Sequence, residues 1–330
     1  MAIIANSFRT ADAKANRESL ADDISMITPR ETPLYSGMKK GTADATYNEW
    51  LQDAIRAPGA NAQLEGDTYT YNATTPLVRL GNHTQIVRDS WIVTRTQDKV
   101  KNAGNGETTE RAKLKVGLAL RKDVELQLIS NNPSVGGQTR VSGGLPTWLT
   151  TNVSRGVGGV DGGFNTGTKL TVAETLGTQR AFTQTLLDDT LQDVYQSGGD
   201  TSEIMVSPYL KRVFATFMSS PNVVPLRVEA PSMSGVTLNS DVEWYKGPHG
   251  TVKVTMNRVM GLAAATARRA FLIDWAHLEY DWLRPLAQDG ETNTNADARG
   301  GVIVGEGHLI VKNEAGMGSI SDLFGINATT

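Results

Sequence analysis

From Thr108 to Asn131 the apolar residues recur at helical spacing. Val116, Leu120, Val124 and Leu128 fall four apart, and Leu114 and Leu118 form a second row beside them. Lys113, Lys115, Arg121, Lys122, Asp123 and Glu125 fill the remaining positions, so the pattern predicts an amphipathic helix with one buried stripe and a polar face. Thr108 or Thr109 can cap its start, Glu110 suits the positive end of the helix dipole, and Asn131-Asn132-Pro133 stops it. Roughly two dozen residues at about 1.5 Å each make a rod of about 35 Å. By itself this is the pattern of an ordinary core helix. A second long helix is predicted over 171–197, with Leu176, Phe182, Leu186, Leu187, Leu191 and Val194 toward the core. Thr171 to Glu174 reads as its capping box and Gly198-Gly199 as its end.

Around these helices the pattern changes several times. Residues 1–59 read as an arm: a short helix at 11–27, a break at Pro29 and Pro33, then a stretch whose Tyr47, Trp50 and Leu51 suit anchoring on a surface. Residues 60–98 are rich in Thr, Val, Ile, Tyr and Trp, and Gly81-Asn82 offers a turn, which predicts a long β-hairpin. Val87, Trp91 and Val93 share one face with Asp89, while Ile86 and Ile92 share the other with Arg88. Such a hairpin suits an exposed lobe covered by partners. Region 99–170 carries the first helix and a glycine-rich loop of roughly forty residues, long enough to be functional or mobile. Beyond the second helix, Glu203–Ser207 reads as a buried strand and Pro208 starts a third helix. Strands follow from Val223, with a polar loop at 291–301, last strands over 301–313 and a short tail helix at 319–325. The order gives an α+β body.

Composition narrows the function classes. The chain has 330 residues, 39% hydrophobic and 20% charged, with net charge −3 and pI near 5.9. That fits a large globular core, and it argues against a dedicated nucleic-acid binder, which would be strongly basic. There are no cysteines, which removes disulfides, thiolate nucleophiles and Cys-ligated zinc. The N-terminus lacks signal-peptide features and no apolar run reaches membrane-spanning length, so an intracellular chain is expected.

Candidate chemistry tests poorly. Gly162–Gly167 resembles the start of a P-loop, but Thr168 stands where Lys is needed and Lys169 comes one residue late. The Arg155–Asp161 stretch ends in Asp where a dinucleotide fingerprint needs Gly, and Gly305–Ile310 fails at the same position, so all three read as linker. His83, His249, His277 and His308 match no metal spacing. Asp22-Asp23 and Asp188-Asp189 read as solvated helix faces; nothing in the sequence requires Asp274, Glu279 and Asp281 to meet. No Gly-x-Ser-x-Gly motif is present. No catalytic, cofactor-binding or metal-binding residue is expected, and no enzyme.

The order of arm, lobe, spine helix and mixed body resembles the major capsid protein of tailed bacteriophages, with the Hong Kong 97-type fold. The words resemble it too: Thr32-Pro-Leu34 with Gly41 and Tyr47–Trp50 in the arm, Glu203–Pro208 at a strand-to-helix step, Phe271–Asp274 and Leu283–Pro285 in the late body. The resemblance covers nearly the whole chain. It implies an axial domain over 171–300, a peripheral domain built on 99–170 and the returning 301–330, and an extended loop at 60–98 that overlaps a neighbour. It implies copies of itself as partners, in hexamers and pentamers of an icosahedral shell, with separate scaffolding, decoration and portal proteins as further partners. Packaged double-stranded DNA would lie against the inner face without sequence specificity, no membrane or cofactor would be involved, and the virion would assemble in the host bacterial cytoplasm. No long scaffolding region precedes the arm, which implies a mature form or a separate scaffold. Some relatives crosslink through a lysine on the extended loop; here no Lys lies between Lys40 and Lys99, so non-covalent assembly is expected. The alternatives are an encapsulin-like shell with enzyme cargo and an enzyme with a glycine-rich lid; a tail fibre would show β-repeats, and none are visible.

Overall fold

A computed structural model describes residues 30–69, 71–100, 107–217, 243–292 and 296–329. The helix expected at 11–27 and the first strands expected after Val223 lie outside those residues. The arm supplies helix α1 (Pro33–Gly37) and strands β1 (Lys39–Thr42) and β2 (Tyr47–Gln52). Next come β3 (Val78–His83), β4 (Gln85–Thr94), the short helix α2 (Arg95–Lys99) and the long helix α3 (Thr108–Ile129). The glycine-rich stretch holds β5 (Val153–Ser154), β6 (Gly163–Asn165) and β7 (Leu170–Val172). Then follow α4 (Gln184–Gln196), β8 (Glu203–Val206), α5 (Pro208–Phe217), β9 (Trp244–Gly247), β10 (Gly250–Met256), α6 (Ala264–Ala267) and β11 (Ala270–Ile273). A long hairpin, β12 (Leu278–Thr292) and β13 (Ala298–Val311), precedes the last strand, β14 (Gly318–Ile320).

Two larger sheets organise the α+β body. One has the order β1-β12-β13-β4, the other β5-β14-β11-β8-β10-β9. Helix α3 lays Leu120, Val124, Leu128 and Ile129 into a core shared with Val87, Tyr280, Leu309 and Val311. A second core gathers Leu187, Leu191 and Val194 of α4 with Leu210 and Phe214 of α5. Strands β8 and β11 divide the two: Met205, Phe271 and Ile273 face the first core, Ile204, Val206 and Leu272 the second. Burial on both faces is why these strands read as unbroken apolar runs. No helix among the described residues is long and apolar enough to cross a membrane.

Several expectations are corrected. Gly81-Asn82 is not a turn. It lies inside β3, which pairs antiparallel with β2, while β4 pairs with β13, so 60–98 folds into no hairpin of its own. Long-range pairing replaces the local turn. The second helix starts at Gln184, capped by Thr183, rather than at 171. The backbone of 173–182 is spent on tertiary bonds instead, Thr175 with Val160 and Arg180 with Asp322. The tail at 319–325 is a strand followed by buried coil, because β14 fills the gap between β5 and β11. The polar loop at 291–301 is mostly taken into the tip of the β12–β13 hairpin.

The glycine-rich stretch is not a linker. Leu145, Trp148 and Leu149 are buried, and Trp148 sits between Trp50 and Phe164, with ring centroids 5.4 and 5.6 Å away. Gly144 packs against the Ser130 carbonyl where any side chain would collide, so glycine here permits close packing rather than looseness.

Candidate functional site

The polar groups singled out in the sequence are held apart. His83 packs on the Tyr47 ring, His277 lies 3.6 Å from Asp274, His249 lies beside Tyr195, and His308 is buried in β13. Burial pushes His308 down to about 4. Among the described residues no three His, Cys, Asp or Glu side chains gather as a metal site would require. Glu279 and Asp281 do come together on β12, facing Lys39 and Gly41 of β1. Lys312 neutralises Glu279 at 2.6 Å, while Asp274 turns away to cap Ala276. Burial first, then Glu279, pushes Asp281 up to about 6. Asp188 accepts the Tyr245 hydroxyl at 2.6 Å rather than facing only solvent.

The three glycine motifs serve packing. Gly162–Gly167 leads into the β6–β7 hairpin, where Lys169 turns back and its carbonyl accepts the Tyr47 hydroxyl at 2.9 Å. Arg155 pairs with Asp161 and Glu174. Gly305 and Gly307 lie mid-strand in β13, and their bare backbones receive the rings of Trp282 and Tyr280.

Four buried carboxylates act as fasteners between distant segments. Glu174 bridges Arg155 and Arg269. Asp322 accepts the amides of Gly156 (3.0 Å) and Gly177 (2.9 Å). Glu306 joins Arg140 at 2.5 Å, Arg284 at 3.2 Å and the Thr84 hydroxyl at 2.8 Å. Burial pushes Glu306 up, but its Thr84 and Arg140 partners outweigh it and hold the carboxyl below its ordinary value.

Glu125 overturns the expected polar face of α3. It is fully buried and accepts the amides of Leu34 (2.9 Å) and Tyr35 (2.7 Å) and the side-chain amide of Asn257 (2.6 Å). Burial, the largest influence, pushes it above the ordinary carboxylate range against those bonds. The sequence held part of the signal: Glu125 follows Val124 and precedes Leu128 by three, at the edge of the apolar stripe. The caps also differ, since Thr109 donates to Asp98 at 2.7 Å and not to its own helix. On the apolar side, Leu114 is exposed and Val116 half-buried, so the stripe is fully covered only from Leu120 onward.

The exposed surface is more distinctive. Every described residue from 53 to 79 is exposed, and no helix or strand lies between β2 and β3. Ile55 is 97% and Tyr71 95% exposed, and Leu64, Tyr69 and Leu77 are similarly bare. An apolar segment this long without its own core marks a surface that other protein covers. Ile86 and Ile92 of β4 extend the exposed apolar surface, opposite buried Val87, Trp91 and Val93. Trp50, by contrast, anchors its strand by donating to the Val311 carbonyl at 2.9 Å, while Leu51 stays exposed.

Comparison with known proteins gives a consistent result. The family described as SU10 major capsid protein matches residues 5–324. The major capsid protein of Escherichia phage Phieco32 is 25% identical over 240 residues, covering 63% of this chain and 68% of that protein. Among solved structures, the Cyanophage A-1(L) capsid asymmetric unit superposes with TM-score 0.63 at 11% identity, covering 96% of this chain and 98% of that one. The holo-SrpI encapsulin complex of Synechococcus elongatus PCC 7942 gives TM-score 0.58 at 12% identity, covering 98% and 99%.

Proposed function

The chain belongs to the SU10 major capsid protein family and is a phage major capsid protein with the Hong Kong 97-type fold, and we propose that its copies close into an icosahedral shell through non-covalent overlaps, chiefly of the 53–79 segment on a neighbour. One observation carries this reading: a continuous exposed segment bearing Ile55, Leu64, Tyr69, Tyr71 and Leu77, left outside two cores that close without it. Each overlap can be weak, because a closed shell multiplies it.

In this reading the six-stranded sheet with α4 and α5 is the axial unit near the capsomer centre. The four-stranded sheet with α3 is the peripheral unit. Hexamers and pentamers of the chain enclose double-stranded DNA held without sequence specificity, assembled in the bacterial cytoplasm with separate scaffolding and portal proteins. No enzymatic step is assigned. The segment 41–98 holds no lysine, which supports assembly without a covalent link from this loop. Purified particles boiled in detergent are expected to run as a single monomer band; a ladder of covalent multimers overturns the non-covalent part.

An encapsulin-type compartment shares the fold, as the 0.58 superposition illustrates. Nuclease-protected nucleic acid in purified particles supports the genome shell, and particles holding a protein cargo without nucleic acid support the compartment.

A further inference from the structure

Where α3 ends, the chain turns at Pro133 and runs through a loop closed by the Val135–Val141 bridge. Helix and loop leave an open groove of about 490 Å³ beside the first residue of β4. Its walls are apolar: Leu126, Pro133, Val135 and Val141, with Leu126 and Val135 both exposed. Its polar lining includes two acceptors. Gln127 is buried; its Nε2 donates to the Ser142 carbonyl at 3.4 Å, and its Oε1 meets no donor among the described residues. Asp123 lines the same groove and lies close to Asp89, a like charge, so the rim calls for a donor.

Apolar walls with unsatisfied acceptors match an aromatic ring that carries a hydroxyl. The chain bears such groups on its exposed segment. Tyr69 and Tyr71 are 90% and 95% exposed, and two-residue spacing in extended backbone directs both to one side. Their own chain buries neither, so the groove of the same copy is not their seat. Resting on the shell reading above, we propose that the groove between α3 and the 132–141 loop receives Tyr69 or Tyr71 of a second copy, the ring against Leu126 and Val135 and the hydroxyl donating to Gln127 or Asp123. The groove is thereby the acceptor half of the overlap whose donor half is the 53–79 segment.

The absence of cysteine makes a clean test. Full-length chains carrying Tyr71→Cys alone and Val135→Cys alone are mixed, assembled and oxidised, so any mixed disulfide joins two copies. Arg212→Cys, on the exposed side of α5, replaces Val135→Cys in the control. The proposal expects a mixed disulfide dimer on the order of tenfold above the control, as proximity in the assembly dictates. It also expects Val135→Trp, which fills the groove, to keep the wild-type melting temperature while losing assembly. Particles that form normally with no excess crosslink, or with Val135→Trp unimpaired, overturn the groove and leave the shell reading standing. Wild-type chain that forms no particles overturns both.

Discussion

Glu125, midway along the long helix, accepts the amide of Leu34 at 2.9 Å, tying the arm to the spine. The groups hydrogen-bonded to that carboxylate are all donors: the amides of Leu34 and Tyr35 and the Asn257 side-chain amide. Glu125→Leu keeps helix propensity but strips an acceptor from all of them. The expected loss is about 2–5 kcal/mol, the range for donors left unpaired in a buried site, read as a shifted urea midpoint. Hydrogen exchange should rise first across α1. A variant as stable as wild type contradicts the fastening role.

Trp148 stacks on Phe164 with planes 5° apart, in a stretch whose glycine content resembles a linker. Trp148→Ala is expected to cost about 3–5 kcal/mol, as for other large aromatic truncations in cores. A change within about 0.5 kcal/mol, typical of exposed positions, would return the stretch to the status of a loop.

Two buried groups give opposite pH dependences. Burial pushes His308 down to about 4, while the unfolded chain protonates near 6.5. The native state refuses that proton, so His308 removes stability as pH falls from 6.5 to 4. Burial and then Glu279 push Asp281 up to about 6, so its contribution is fully present below 3.8 and lost as pH rises through 6. His308→Leu should therefore gain melting temperature over wild type as pH drops from 7 to 4. Asp281→Asn should lose ground to wild type over the lower part of that range. Differences that stay flat with pH refute the assignment.

The exposed segment should be separable from folding. Tyr69→Ser with Tyr71→Ser touches no core, so the melting temperature of the unassembled chain is expected to hold within the range of surface changes. Particle yield in sedimentation should fall sharply. Undiminished yield would remove these tyrosines from the overlap.

The sequence was legible where structure is local and periodic. Leu120, Val124 and Leu128 announced α3, and Glu203–Val206 before Pro208 announced a strand-to-helix step. It misled where distant partners decide. Gly81 reads as a turn, yet it is needed in a strand because Tyr47 of β2 packs against it. Asp322 ends a predicted helix that never forms, because its side chain and carbonyl serve Gly156, Gly177 and Arg180. The exposed segment was legible as chain without a core, but its irregular backbone was not, because strand-forming residues there lack a partner strand. Glu125 and the groove acceptor Gln127 share polar identity with solvent-facing neighbours, and only the packing around α3 distinguishes them.

The most direct test is negative-stain microscopy of the purified full-length chain with nuclease treatment before disruption. Closed shells of uniform diameter, holding protected double-stranded DNA when made in infected cells, are the predicted result. A chain that stays monomeric or dimeric under every condition, scaffold included, would contradict it.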